Sequence, residues 1–173
     1  VAAEKDFFVP VAVAVMLERS GLYSLALDWY RKVFDTRELP NKRAKVELLT
    51  KEINDPPKIH YNDRWSLNLD PHTIAHEAKT NSYTRFILAR ITRCMAALAD
   101  AEFARGTDES RAKALDLYLE TKQILGFEEL KTFPDPNLPN PIIIALSEHV
   151  TMALRKLRRG LTYSGTPVLL DRT

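Results

Sequence analysis

The feature that most constrains the fold of this chain is a series of long segments that contain neither glycine nor proline. The sequence has only five glycines in 173 residues, and its ten prolines lie in clusters. Between these breaks the apolar residues recur with the period of an α-helix, and few segments alternate as β-strands do. We therefore expect an all-α protein, built as an antiparallel helical bundle of about six helices.

The first two helices are predicted on either side of a Ser-Gly pair at residues 20–21. Pro10 lies early enough in the first apolar segment to be accommodated near a helix start. The second helix carries an apolar face in which Trp29 and Tyr30 are structural anchors. A short connection between two helices implies that they pack antiparallel.

The next part of the chain is expected to hold a short helix and then an irregular connection. The short helix covers residues 41–53 and ends before two prolines, because the residue that precedes a proline is disfavoured in the α region. Trp65 is expected to anchor the connection. Asp70 and Pro71 then supply the N-cap and the first residue of another helix.

The two longest uninterrupted periodic segments follow. The first, "NSYTRFILARITRCMAALADAEFARG" (81–106), is predicted to be the longest helix and to end at Gly106. Thr107 or Asp108 then caps a helix that stops at Gly126. Large aromatic side chains on the apolar faces are expected to anchor both helices, namely Phe103 and Tyr118.

The proline-rich stretch "FPDPNLPNP" divides the chain. Residues 1–132 are expected to form a helical domain, residues 133–141 a stiff linker, and residues 142–173 the last helix with an extended, irregular tail. The tail after residue 160 has turn and strand character, and no partner for it within the chain is evident. A hydrophobic content of 45% is enough for one core, so a single compact unit is expected.

The charge balance and the hydropathy argue against two kinds of partner. The net charge is only +2, from 25 cationic and 23 anionic residues, whereas nucleic-acid-binding domains carry a clear basic excess. No apolar run approaches the roughly 20 residues that cross a bilayer. We therefore expect neither nucleic-acid binding nor direct membrane insertion by this segment.

One dense cluster of cations departs from the nearly balanced charge of the whole chain. Arg155, Lys156, Arg158 and Arg159 lie just before Gly160. Cations in the last turn of a helix complement its dipole and reach its free carbonyl groups, which favours a charged helix end. An interface with an acidic protein partner is the second interpretation. Contact with nucleic acid is the third, and the lack of interleaved aromatic residues weakens it.

The histidines do not form a recognisable metal site. His72 and His76 share a face of a predicted helix and could be half of a zinc site, but no further cysteine or aspartate completes it. Helix capping and surface hydrogen bonds are the favoured use of this pair. His60 and His149 stand alone in the sequence.

The remaining reactive residue types do not form a catalytic arrangement. Ser147 and His149 are too close on one helix to act as members of a triad, because they point in different directions. Asp100 and Glu102 also face different ways, so they do not pair as acid and base. There is no phosphate-binding or nucleophile-elbow motif. We therefore predict no enzyme activity, no catalytic residue, no metal and no cofactor.

The single cysteine, Cys94, cannot form a disulfide within the chain. It lies on the apolar stripe of the longest predicted helix. Because an unpaired cysteine is among the most buried residue types, a structural thiol is favoured over a reactive one.

A weak internal similarity suggests one general function. The sequence Ala-Leu-Asp-x-Tyr occurs at residues 26–30 and again at residues 114–118. The two copies are too far apart for a regular array of short repeats. A free-standing, helical-repeat-like module for protein–protein interaction therefore remains the alternative function.

A longer ordered series of motifs carries a more specific resemblance. It begins with an aromatic pair before a proline and ends with a basic helix terminus that precedes a glycine. The motifs run in order through nearly all of the chain: "FFVP" (7–10), "ALDWYRKVFD" (26–35), Trp65, "DPHTIA" (70–75), "YTRFILARITRCMAALADAEFARGTDESRAKALDLYLETKQILG" (83–126) and "LPNPIIIALSEHVTMALRKLRRGLTYSG" (138–165). In this order they resemble the C-terminal helical region of the A subunits of insecticidal Tc (toxin complex) toxins.

The resemblance implies a non-enzymatic role within a secreted assembly. Tc A subunits are very large, assemble as pentamers and form a translocation channel, and a separate B–C cocoon delivers the toxic cargo. This segment would belong to the helical body that precedes the pore-forming helices. Its partners would be the rest of the same long chain and neighbouring A subunits, and the cocoon would bind only regions absent here. The basic cluster would then serve packing within or between subunits.

Overall fold

The computed structural model describes residues 4–54, 82–131 and 141–168. Within these ranges the chain forms helices and turns, and β pairing is limited to two isolated bridges. The prediction of an all-α helical bundle is confirmed. The α-helices are α1 (Val9–Arg19), α2 (Tyr23–Arg31), α3 (Glu47–Asn54), α4 (Ser82–Arg105), α5 (Asp108–Leu125), α6 (Glu128–Lys131) and α7 (Pro141–Arg158).

The first two helices form the predicted hairpin. A π-helical turn, Glu4–Phe8, leads into α1, and Pro10 lies in its first turn. The amide of Gly21 donates to the carbonyl of Glu18 at 3.0 Å and closes the end of α1. Gly21 has a φ of 75°, a conformation that glycine adopts without steric cost. The chain therefore reverses here, and α2 packs against α1.

The segment between α2 and α3 corrects the prediction of a helix over residues 41–53. Helical structure there consists of a 3₁₀ turn, Pro40–Lys42, and of α3 itself. Between them Ala44 forms an antiparallel bridge with Phe34. Backbone groups that pair across this bridge cannot also make the i to i−4 bonds of a helix, so α3 starts later than the sequence predicted.

Helix α4 is the centre of the bundle. It contacts α2, α3, α5, α6 and α7. Residues 84–92 of α4 are all buried, which is the situation of a helix enclosed by neighbours on several sides. Helix α1 contacts α2, so each of these helices touches α4 or a helix that touches it.

Glu52 of α3 holds the start of α4. Its carboxylate accepts hydrogen bonds from the amide of Tyr83 at 3.2 Å, the amide of Thr84 at 3.0 Å and the hydroxyl of Thr84 at 2.9 Å. The first amides of a helix have no partner within the helix, so the carboxylate satisfies groups that would otherwise lack acceptors. Burial raises the pKa of the Glu52 carboxyl, and these hydrogen bonds oppose that rise.

Helices α4 and α5 are joined as predicted. Gly106, with a φ of 76°, ends α4. Of the two predicted caps, the structure uses Thr107, whose hydroxyl oxygen accepts a hydrogen bond from the amide of Ser110 at 3.2 Å. Gly126 follows the last residue of α5. This tight connection lays α5 against α4.

Buried apolar side chains form two clusters. The larger one lies among α1, α2, α3, α4 and α6 and contains Tyr30. The smaller one lies where α4, α5 and α7 meet. Its members are Ala96, Ala99, Phe103, Ala114, Tyr118, Val150, Ala153 and Leu154. Three predicted anchors are thus fully buried, whereas Trp29 is half-buried with the Lys32 ammonium 3.5 Å from its ring centroid.

Several predictions fall on residues outside the described ranges. They concern the anchors and helix start Trp65, Asp70 and Pro71, the histidines His60, His72 and His76, and most of the proline-rich linker. Pro141, expected as the last linker residue, is instead the first residue of α7. That position suits proline because the first amide of a helix needs no partner within it.

Candidate interaction surface at the end of the last helix

Helix α7 ends at its basic cluster, as the sequence predicted. The amide of Gly160 donates to the carbonyl of Leu157 at 3.1 Å, and the amide of Leu161 donates to the carbonyl of Lys156 at 2.9 Å. This pair of bonds is a Schellman motif, which requires a left-handed residue after the helix. Gly160 supplies it with a φ of 66°.

The chain after α7 corrects the expectation that the tail has no partner within the protein. Leu161 forms an antiparallel bridge with Pro167, and the amide of Thr162 donates to the carbonyl of Thr166 at 2.7 Å. These bonds close residues 160–168 into a compact reversal, which we name the C-terminal turn. The sequence showed turn character, but the pairing depends on contacts that periodicity does not report.

The C-terminal turn is fastened to the helical bundle at three points. The guanidinium of Arg111 on α5 donates to the carbonyl of Leu161 at 2.9 Å. The ammonium of Lys156 donates to the carbonyl of Tyr163 at 2.8 Å. The Tyr163 ring packs edge-on against Phe103 of α4, with centroids 5.7 Å apart. The turn therefore belongs to the same packed unit as α4, α5 and α7.

The structure separates the four predicted cations into two groups. Lys156 is half-buried and serves the C-terminal turn. Arg155, Arg158 and Arg159 are exposed, and none of their side chains forms a hydrogen bond or ion pair with another residue of the described ranges. Their charges suit the negative end of the helix dipole. Within the described part of the chain, these three guanidinium groups nevertheless keep much of their hydrogen-bonding capacity for a partner.

A small cavity lies beside this helix end. Its volume is about 230 Å³. The walls combine apolar and aromatic side chains with the imidazole of His149 and the ammonium-bearing side chain of Lys156. The lining residues are Phe103, His149, Met152, Ala153, Lys156 and Tyr163.

A carboxylate, a phenol and an imidazole meet next to the cavity. The hydroxyl of Tyr118 on α5 donates to Oδ1 of Asp100 on α4. Nε2 of His149 on α7 lies 2.8 Å from the same oxygen. The three helices that form the smaller core are thus also tied together by polar contacts. The expectation that His149 stands alone is corrected, because its partner lies 49 residues away in the sequence.

This arrangement resembles a catalytic constellation in composition, but its hydrogen bonds are directed within the protein. Burial raises the pKa of the Tyr118 hydroxyl, and its hydrogen bond to Asp100 raises it further. The hydroxyl therefore stays protonated and acts as a donor. The Asp100 carboxylate is occupied by Tyr118 and by His149 at once. The geometry favours a role in holding α4, α5 and α7 together over proton transfer to a substrate.

Glu102 faces a different set of partners from Asp100, as predicted from their spacing on the helix. Its carboxylate accepts from the ammonium of Lys113 at 2.8 Å and from the guanidinium of Arg105 at 3.2 Å. The hydrogen bond from Lys113 and then that from Arg105 hold the pKa of the Glu102 carboxyl below its usual range. The Glu102 carboxylate is therefore already paired with one cation of α4 and one of α5.

A second polar network, in the larger core, was not evident from the sequence. The guanidinium of Arg90 on α4 donates to the carboxylate of Glu18 on α1 at 2.8 Å and to the hydroxyl of Tyr30 on α2 at 3.1 Å. Tyr30 itself donates to Glu18 at 2.7 Å. Burial is the main cause of the raised pKa of the Tyr30 hydroxyl. The network thus joins three helices through groups with few water contacts.

Membrane and metal chemistry find no support in the residues that the structure describes. No helix of these residues is long and apolar enough to cross a bilayer, and they contain no group of three potential metal ligands. Cys94 is buried, as predicted, and its thiol lies 3.5 Å from the carbonyl oxygen of Tyr23. Burial raises the pKa of this thiol to about 12, so it remains protonated at neutral pH.

Comparison with known proteins gives no relative from which a function could be transferred. No protein-family model matches the chain, and no curated protein matches its sequence. The functional interpretation therefore starts from the ordered motifs and from the surface around the end of α7.

Proposed function

We propose that this chain is a non-enzymatic helical segment of a large Tc-toxin A-type subunit, which contributes to the body of a pentameric, pore-forming translocation channel. The observation that carries the proposal is the ordered series of motifs, which extends through nearly the whole chain. On this proposal the chain acts outside the producing cell as part of a secreted toxin complex. It binds no cofactor.

Contacts between the motif segments support the proposal. The aromatic pair of "FFVP", Phe7 and Phe8, packs against Tyr83 at the start of the long fifth motif, with ring centroids 5.2 and 6.0 Å apart. Phe103 and Tyr118, from two halves of that motif, pack edge-on at 6.4 Å. Motif residues that are distant in sequence thus contact one another, which is consistent with a shared structural role for the series.

The polar clusters favour a structural rather than a catalytic role. In both networks a tyrosine hydroxyl donates to a carboxylate that also contacts a guanidinium or an imidazole from a third helix. A general base or a nucleophile needs a lone pair directed at a substrate. Here the carboxylate oxygens are directed at other helices of the same protein.

The proposal assigns the free surface to partners within the assembly. Other parts of the same long chain and neighbouring A subunits would cover it, whereas the B–C cocoon would bind regions absent from this chain. Nucleic acid and direct contact with the lipid bilayer are not part of the proposal. The exposed arginines Arg155, Arg158 and Arg159 are the groups best placed for such contacts.

Charge reversal in the full-length subunit tests this role. We expect Arg155→Glu combined with Arg158→Glu to leave the fold of this segment intact, because both side chains are exposed, while oligomer assembly is impaired. Arg19→Glu combined with Arg93→Glu is the matched control, since these arginines are also exposed and lie on α1 and α4. Assembly that is unaffected by the first pair would count against the proposed role of the cluster.

A conductance measurement tests whether pore formation belongs to regions of the subunit outside this chain. The isolated chain should produce no channels in a planar lipid bilayer, since its described helices are not of membrane-spanning type. The full-length subunit is the positive control. Channel activity of the isolated chain would contradict the assignment of pore formation to other regions.

A further inference from the structure

The outer face of α7 changes in character along its length. Ile144, Glu148, Met152, Arg155 and Arg159 recur every three or four residues and are all exposed, so they form one stripe on the helix. Ile144 is 38% exposed and Met152 is 52% exposed, which is high for large apolar side chains. With a rise of 1.5 Å per residue the stripe is about 22 Å long. Its first part is mainly apolar, and its end is basic.

The basic end of the stripe lacks a counterpart within the described part of the chain. Arg111 and Lys156 are committed to carbonyl oxygens of the C-terminal turn, and Lys113 is paired with Glu102. Arg155 and Arg159 have no such partner there. A carboxylate side chain is the group whose geometry matches a guanidinium best, because both are planar and bind in a bidentate manner.

The cavity provides an anchor point directly beside the stripe. Met152 belongs both to the stripe and to the cavity wall, and Lys156 follows one turn later. The rings of Phe103 and Tyr163 also line the cavity. At about 230 Å³ the space is smaller than the usual site of a drug-sized ligand. Protein interfaces commonly place one large apolar side chain in such a pocket and surround it with charged groups.

We infer that this surface binds an acidic protein segment, with one large apolar side chain in the cavity and carboxylates on Arg155 and Arg159. A helix is the form of segment that fits, since a stripe of this length on one helix matches the ridge of another. The inference rests on the proposed function in one respect: the acidic segment belongs to the surrounding toxin assembly.

Two observations favour an acidic protein over a phosphate polymer. The ring of Tyr163 in the C-terminal turn already packs edge-on against Phe103, which leaves less of it for base stacking. Ile144 and Met152 extend the contact with apolar area that a nucleic-acid backbone cannot use.

Binding of a designed helical peptide to the isolated chain tests the inference. A stripe of this length corresponds to a peptide of about 15 residues. The peptide carries one phenylalanine anchor flanked by glutamates, and two controls replace the phenylalanine by alanine or the glutamates by lysines. Binding is followed by fluorescence anisotropy of a labelled peptide, and its location by chemical-shift changes of the chain.

The expected result is saturable binding of the acidic peptide that depends on both features. Arg155→Glu combined with Arg159→Glu should weaken binding at least about tenfold, and Met152→Gln should weaken it several-fold. The double variant Arg19→Glu, Arg93→Glu, which has the same net charge, should leave binding unchanged. Chemical-shift changes should concentrate in α7 and the C-terminal turn.

Other outcomes would overturn the inference. Equal loss of binding in the two double variants would show that only net charge matters. Tighter binding of single-stranded RNA, or of vesicles with anionic lipid, at the same arginines would show that phosphate is the ligand. Absence of peptide binding would also refute the inference. It would leave the proposed function intact, because that proposal is tested separately by the size of the native polypeptide and by assembly of the full-length subunit.

Discussion

The two tyrosine-centred networks use the same sequence motif in different environments. Tyr30 and Tyr118 both end the sequence Ala-Leu-Asp-x-Tyr, both are fully buried, and both donate to a carboxylate. In the larger core the third partner is the guanidinium of Arg90, which is 8% exposed. In the smaller core it is the imidazole of His149, which is 41% exposed.

The difference shows how the third partner sets the role of a network. A buried guanidinium is permanently charged, so removal of either charged member of the Arg90–Glu18 pair leaves an uncompensated charge with little access to water. The Asp100 carboxylate is 28% exposed and can be solvated when its partner is lost. We therefore expect the network of the larger core to maintain the fold, and that of the smaller core to position α7 beside the proposed binding surface.

The largest expected effect is on the network of the larger core. Arg90→Met should lower the free energy of unfolding by about 3–5 kcal/mol, because it leaves the Glu18 carboxylate buried without its cation. Denaturant unfolding followed by circular dichroism measures the change. The double variant Glu18→Leu, Arg90→Met removes both charges and should recover much of the loss. A loss below about 1 kcal/mol in the single variant would show that the network of the larger core stabilises the fold no more than that of the smaller core.

An intermediate effect is expected at Cys94, which lies in the larger core. Because its folded pKa is raised to about 12, the folded chain keeps a thiol proton that the unfolded chain releases above about pH 8.5. Stability should therefore fall as the pH rises from 8.5 toward 12, by at most about 1.4 kcal/mol per pH unit from this group.

The Cys94→Ala variant isolates that contribution from other groups that titrate in the same range. Its stability should decline less steeply with pH than that of the unsubstituted chain. A variant with Met152→Cys in the Cys94→Ala background places a thiol on the exposed stripe of α7, and it should show no comparable slope. Identical slopes for buried and exposed thiols would contradict the burial of Cys94.

The smallest effect is expected in the smaller core. His149→Gln should lower the free energy of unfolding by less than about 1 kcal/mol, because the contact that His149 makes with Asp100 is partly exposed to solvent. Thermal unfolding measures the difference. A loss as large as that of Arg90→Met would show that exposure does not distinguish the networks.

The sequence predicts the local parts of this fold well. The all-α class, the break at Gly21, the cap at Thr107 and the helix end at Gly160 depend on residue types within a few positions of each other. Their signals are therefore contained in the sequence itself.

Features that depend on distant residues were missed or predicted wrongly. The bridge between Phe34 and Ala44 replaces part of a predicted helix, although the residues around Ala44 are compatible with helical periodicity. His149 was predicted to stand alone because Asp100 belongs to another helix. In both cases the decisive partner is set by the packing of helices, and no short pattern records it.

The candidate surface could be predicted only in part. The cluster of cations and its place at a helix end were evident, but the different roles of its four members were not. The structure commits Lys156 to the C-terminal turn and leaves the three arginines exposed. The cavity could not be predicted, because its walls come from α4, α7 and the C-terminal turn.

The size of the native polypeptide tests the central claim most directly. An antibody raised against this chain would be used to blot an extract of the source organism. A segment of a Tc-toxin A-type subunit predicts a band far above the 19.8 kDa of this chain. A native band near 19.8 kDa would contradict the toxin-subunit proposal and would favour a free-standing helical interaction module.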